Sequence, residues 1–299
     1  MTTWQVPTAL AAASGQTRRR RIGLALSSGG ARGFAHVGVI KALEQAGCSI
    51  VSVAGSSIGS IVGAGYAHRG DVAEVERQVL AFRARDHQRP GGAVMHSERI
   101  AAVLDTLLGA AHFADCAVPL TIMATDLRRR APVAITAGPV ALAACASMAL
   151  PFFHHPVPWE DRLLAEGALS CDLPLAQAGR VEVDLVVGSM VSQDREARER
   201  WLATCARRAG RATADWQRPY ADFFRAPNPP AMGREVPATM GPPVLIITPH
   251  LPTISAVDFD QAQAAIAAGE CATAARLDEL ADLMRSAAAY PAADDRAAA

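Results

Sequence analysis

The stretch Ile22-Gly-Leu-Ala-Leu-Ser-Ser-Gly-Gly-Ala-Arg-Gly33, followed after a gap by Ile50-Val-Ser-Val-Ala-Gly-Ser-Ser-Ile-Gly59, decides the fold. Each half starts as a short apolar run and ends in a glycine-rich turn, and between them Val37 to Glu44 carries apolar residues at helical spacing. Short apolar runs bounded by glycine read as buried strands. The order is strand, turn, helix, strand, turn, helix, with chemically capable residues at both turns.

The second turn has the form Gly55-x-Ser57-x-Gly59, the pattern of a nucleophile elbow. Glycines on either side lack a Cβ, so the chain can reverse sharply and hold the Ser57 hydroxyl clear of the backbone at the end of the strand. The next helix starts near Ile58, which brings its free N–H groups and positive dipole end beside that hydroxyl. Ser57 is the candidate nucleophile. The first turn supplies what an acyl-transfer nucleophile needs: the backbone amides of Gly29, Gly30, Ala31, Arg32 and Gly33 lie where a strand meets a helix N-terminus, a place suited to an oxyanion.

Two phosphate-binding readings fail on the same residues. Ser28, Gly30 and Gly33 give S-x-G-x-x-G where a dinucleotide fingerprint has three glycines, and the Ile50 to Ala54 run ends without an acidic residue to hold a ribose. A P-loop needs Gly-Lys-Ser/Thr after the glycines, and none follows.

Together these residues resemble the patatin-like phospholipase family. The resemblance rests on Leu24 to Gly33, on the helix Val37 to Glu44 and on the elbow Ala54 to Ser60. It continues in Ile122-Met-Ala-Thr-Asp-Leu127, Ala146-Ser-Met-Ala-Leu-Pro151 and Glu166-Gly-Ala-Leu-Ser-Cys-Asp-Leu-Pro174. It implies an α/β fold, a three-layer α/β/α sandwich on a mainly parallel sheet. It also implies a serine-carboxylate dyad that hydrolyses lipid acyl esters with no metal or organic cofactor. Ser57 takes the nucleophile position, Gly29 to Gly33 the oxyanion loop, and Glu166 the position where the family has aspartate. Glutamate keeps the carboxylate but adds a methylene, and a base has to lie within about 2.6–3.2 Å of the hydroxyl it deprotonates. Asp172 stands where the family block usually has asparagine, and Ser28 replaces a loop glycine.

Two other readings follow from the departures. A chain with an unsuitable base would be a lipid- or protein-binding pseudoenzyme. A Ser-acid-His esterase would use Ser57, Glu166 and His250, which occur in the chain order of that triad.

Composition sets the frame. The chain has 299 residues, 51% hydrophobic and 19% charged, enough to bury a large core in one α/β domain. Lys+Arg and Asp+Glu both number 29, so no global field points to nucleic acid. The six cysteines form no C-x-x-C pair and read as reduced residues of a cytoplasmic protein. Residues 1–20 read as a disordered leader whose Arg18 to Arg21 run offers a peripheral contact to anionic lipid, and 287–299 as a disordered tail.

Between them, 21–286 is the acyl hydrolase domain. Val72 to Phe82 reads as a helix, Arg83 to Gly92 as a polar link, and Ser97 caps a helix running to Leu108. Pro119 to Ala124 is a strand ending at Asp126, with Val133 to Thr136 as its hairpin partner, and Pro139 to Met148 is a helix ended by Pro151. Pro151 to Pro158 reads as an irregular apolar loop beside an acyl pocket. Val183 to Val187 and Val244 to Thr248 are strands, and Phe259 to Met284 is one long helix. Residues 191–243, with Trp201, Trp216, Tyr220, Phe223 and Phe224, read as an insertion or lid that covers the site or rests on a membrane.

Overall fold

The computed structural model describes residues 20–81, 104–105, 108–192, 195–226 and 241–288. The polar link, most of the helix after Ser97 and Pro227 to Pro230 lie outside the described residues, as do the leader but for Arg20, which opens the first strand, and the tail but for Ala287 and Ala288, which end the last helix.

Among the described residues, eight strands form one mixed sheet. They are β1 (Arg20–Leu26), β2 (Cys48–Ser56), β3 (Leu120–Asp126), β4 (Ala131–Ile135), β5 (Val157–Trp159), β6 (Arg162–Ala165), β7 (Leu185–Ser189) and β8 (Val244–Ile247). The spatial order is β5-β6-β3-β2-β1-β7-β8, with β4 also paired to β3. The five strands from β3 to β8 run parallel, whereas β4, β5 and β6 pair antiparallel at one end. Leu24 to Leu26 and all of β3 are buried, because both faces of the sheet are covered.

Helices α1 (Ala35–Gln45) and α2 (Ile58–Arg69) follow β1 and β2 as the chain steps from β1 to β2 to β3. Steps in one direction with right-handed crossovers keep these helices on one face. Helices α3 (Val72–Ala81) and α4 (Val140–Ser147) pack against that layer. The chain then returns to β7, on the other side of β1. The covering segment, Leu173 with the short helix α5 (Leu175–Ala178), buries Ala25, Ala54 and Val186 on the opposite face. That layer lies close to the strands: the Ser52 hydroxyl donates to the Ala178 carbonyl at 2.5 Å.

Helices α6 (Arg195–Ala209) and α7 (Arg218–Arg225) form a hairpin. Tyr220 and Phe223 are buried there with Leu127, Phe152, Ala165 and Leu169, so its aromatic residues pack inward. Helices α8 (Ala262–Ala274) and α9 (Leu277–Ala288) replace the single helix expected over Phe259 to Met284. The helix turns at Ala275 and Arg276, where the Arg276 guanidinium reaches back to the Ile246 carbonyl at 3.1 Å. The expected loop Pro151 to Pro158 is a tight turn that runs into the β5–β6 hairpin, a feature without local signal because β5 is three residues long. Among the described residues, no helix is long and apolar enough to cross a membrane.

Candidate active site

The carboxyl ends of β1, β2 and β7 meet where the chain's direction across the sheet reverses, the place where open α/β sheets bind ligands. Ser57 follows β2 with φ 53° and ψ −123°, a conformation that costs a non-glycine residue about 1–3 kcal/mol. The elbow around it is close-packed. A Cβ on Gly59 would fall 2.4 Å from the Leu26 carbonyl oxygen, and one on Gly55 would fall 2.3 Å from that of Gly59. The Ser147 hydroxyl, buried at the end of α4, accepts the Ser57 N–H at 2.8 Å, and the Ser60 hydroxyl donates to the Ser57 carbonyl at 2.6 Å. The strained residue is thus held from both sides.

Ser57 Oγ donates to Glu166 Oε2 at 3.2 Å. Glu166 is 2% exposed and sits just after β6, its backbone pinned by its N–H to the Ala149 carbonyl at 3.1 Å and by its carbonyl to the Thr125 hydroxyl at 2.8 Å. Burial pushes its carboxyl up to about 8, against the lowering pull of the Ser57 hydroxyl and the Ala168 N–H, and the charge of Asp172 adds to the rise. The extra methylene is therefore accommodated at the outer edge of hydrogen-bond reach.

The glycine loop is a turn of 3-10 helix over Gly30–Phe34. Its φ of +59° at Gly30, and a Cβ position only 2.2 Å from the Ala256 carbonyl oxygen, admit glycine alone. The Ala31 N–H donates to that same carbonyl at 2.9 Å, so Ala31 is removed from the expected oxyanion donors. Arg32 and Gly33 lie inside the 3-10 turn, whose bonding directs N–H groups back three residues. Gly33 leaves room for the Ile58 side chain, while the Arg32 Nε donates to the Ile254 carbonyl at 3.0 Å. Among the described residues, the N–H groups of Gly29 and Gly30 have no backbone or side-chain acceptor.

Asp172, which the sequence singles out as a departure from the family block, and His36 and Ser192, which it does not mark, hold this loop. Asp172, 6% exposed, accepts from the Ser28 N–H at 3.1 Å and the Ser28 hydroxyl at 2.5 Å through Oδ1, and from the Ser192 hydroxyl at 2.6 Å through Oδ2. It clamps the glycine loop and does not reach Ser57. Buried His36 places Nε2 at 2.9 Å from the Ser27 carbonyl and Nδ1 at 2.8 Å from the Ser189 hydroxyl. A carbonyl only accepts, so Nε2 carries the hydrogen; burial lowers the ring to about 4, which keeps it neutral. No local pattern marks His36 or Ser192, since their partners are up to 153 positions away.

Asp126 caps its own turn, accepting from the backbone of Arg128 and Arg129 and from the Arg129 guanidinium. His250 is exposed beyond β8, with β7 and β1 between it and β2. Among the described residues His250 makes no hydrogen bond to Ser57 or Glu166, so the Ser-acid-His arrangement is not assembled. Among the described residues, no group of three or more His, Cys, Asp or Glu is placed to hold a metal ion.

The chain is similar to known proteins. A family profile described as patatin-like phospholipase matches residues 24–178. An uncharacterized NTE family protein of Mycobacterium tuberculosis is 34% identical over 205 residues, 65% of this chain and 57% of that protein, so the chain spans little more than half of that relative. Lysophospholipase nte1 of Aspergillus fumigatus is 52% identical over 66 residues, 22% of this chain and 4% of that one. The crystal structure of VipD from Legionella pneumophila superposes with a TM-score of 0.47 at 12% identity, covering 88% of this chain and 67% of VipD. The profile runs unbroken through glycine loop, elbow and carboxylate loop over more than half of the residues, and the chain belongs to the patatin-like phospholipase family.

Proposed function

We propose that the chain is a serine hydrolase cleaving carboxylic esters of phospholipids, lysophospholipids or related lipids through a two-residue dyad and an acyl-enzyme. The observation that carries this reading is the 3.2 Å hydrogen bond from Ser57 Oγ to the buried Glu166 carboxylate, at a serine held in elbow geometry. Relatives named as lysophospholipases support the lipid class.

In this reading Ser57 Oγ attacks the acyl carbonyl carbon as its proton passes to Glu166 Oε2. The oxygen that becomes anionic lies against the unclaimed N–H groups of Gly29 and Gly30. The intermediate collapses, the ester C–O bond breaks, and the proton returns from Glu166 to the departing alkoxide. Water then attacks the acyl-enzyme with the same carboxylate as base, releasing the fatty acid and restoring Ser57.

Hydrolysis of p-nitrophenyl esters of graded chain length tests it. Activity should vanish in Ser57→Ala and Glu166→Ala and survive in His250→Ala, and a rise in Glu166→Asp would show that the extra methylene detunes the native site. A fluorophosphonate probe should label the parent and not Ser57→Ala. Turnover that persists in Ser57→Ala would overturn the proposal. A parent that is inert and gains activity only as Glu166→Asp would be a binding protein built on this frame.

A further inference from the structure

Charge in this chain is balanced overall but not locally. From Arg195 to Ala226 there are eight arginines and no lysine against four carboxylates, in a molecule with 29 residues of each sign. The aromatic side chains of the hairpin are turned inward, and its second half exposes five guanidinium groups, Arg207, Arg208, Arg211, Arg218 and Arg225, against two carboxylates, Asp215 and Asp222. Arg218 pairs with Asp215. Among the described residues, no carboxylate meets Arg207, Arg208 or Arg211.

Next to these cations the chain exposes two large apolar residues. Leu150 is 36% and Phe153 43% exposed, and the Arg208 guanidinium lies 4.1 Å from the Phe153 ring centroid. The turn that carries them adjoins the dyad: the Ala149 carbonyl accepts both the Glu166 N–H at 3.1 Å and the Tyr220 hydroxyl at 3.3 Å. The basic hairpin, the apolar turn and the backbone support of Glu166 are therefore one packed unit.

We propose that this unit is a docking face for an anionic bilayer, with Leu150 and Phe153 entering the interface and Arg207, Arg208 and Arg211 meeting lipid phosphates. Apolar side chains ringed by cations gain both from burial at the headgroup boundary and from the negative surface potential. An arginine laid over an aromatic ring keeps its charge at the phosphate level while the ring sinks below it. The face deepens the lipid-ester reading by naming the surface from which that substrate would be drawn.

Co-sedimentation of the full chain with vesicles tests it, comparing phosphatidylcholine alone with equal parts phosphatidylcholine and phosphatidylglycerol. The chain should bind the mixed vesicles, bind neutral ones far less, and release as salt rises. Each basic residue near such a surface contributes about fivefold, so Arg207→Glu/Arg208→Glu/Arg211→Glu should weaken binding by at least about a hundredfold, and Phe153→Ser by about tenfold.

The triple variant should keep the parent's near-ultraviolet circular dichroism and its turnover of soluble p-nitrophenyl butyrate, which separates lost docking from lost folding. Equal affinity for both vesicle types, unchanged binding by the folded triple variant, or no vesicle binding at all would overturn the proposal. A parent that binds anionic vesicles but cleaves no ester keeps the docking face and loses the hydrolase reading.

Discussion

Glu166 carries a carboxyl raised to about 8, so near neutrality most of it holds a proton and only the ionised fraction can take another from Ser57. The kcat/KM for a soluble ester should climb through pH 8 and level off above it; a flat profile from pH 6 to 9 would count against Glu166 as the base. The same shift affects folding. A carboxyl near 4.5 in the unfolded chain and near 8 in the folded one favours the fold below pH 4.5, and that contribution is lost as pH rises through 8. Thermal melts of Glu166→Gln should accordingly exceed those of the parent, by a margin that widens from pH 5 to 8. Asp172 acts on both neighbours. Asp172→Asn keeps an acceptor for Ser28 but removes a charge that raises Glu166, so the rising limb should move to lower pH. Asp172→Ala should also lower kcat about tenfold or more by loosening the loop. Ser57 and Glu166 were readable because glycine spacing and the Glu-Gly-Ala block are local signals. His36, Ser147 and Ser192 were not, because a hydroxyl or imidazole acquires its role only from a partner that the fold supplies.

Elements that obey one periodicity were legible, as the strands β1, β2 and β3 and the helices α1, α2 and α4 attest. The failures have physical causes. The β5–β6 hairpin is built from three- and four-residue strands with Pro158 at its edge, too short for alternation to register. The break between α8 and α9 is made by a long-range bond from Arg276 to β8, in a stretch whose alanines suit a continuous helix. The glycine loop gave its residue types but not its donors, since the Ala256 carbonyl that claims the Ala31 N–H lies far along the chain. A Gly30→Ala substitution should test how tightly that element is set. Its methyl group would meet the Ala256 carbonyl at a φ that alanine resists, so kcat should fall on the order of a hundredfold while the melting temperature moves by only a few degrees.

At the scale of the molecule there are separate apolar clusters: the main one between sheet and helices, and another under the α6–α7 hairpin. Phe223, 1% exposed at the heart of the second, should cost about 3–5 kcal/mol when cut to alanine. Hydrogen exchange should then report the hairpin opening while β1 to β3 stay protected; uniform loss of protection would mean a single cooperative unit. The struts of the glycine loop set a further bound on the whole. Ser57 and Glu166 both precede Ala178, but Ser189, Val191 and Ala256, which bond the loop and the strand end before it, and Ser192 and Ile254, which hold Asp172 and the Arg32 side chain, all come later. If the proposed dyad is the catalyst, a ribosome that has finished Ser57 and Glu166 has still not finished the site: the glycine loop stays unbraced until β8 and the turn after it have emerged and docked.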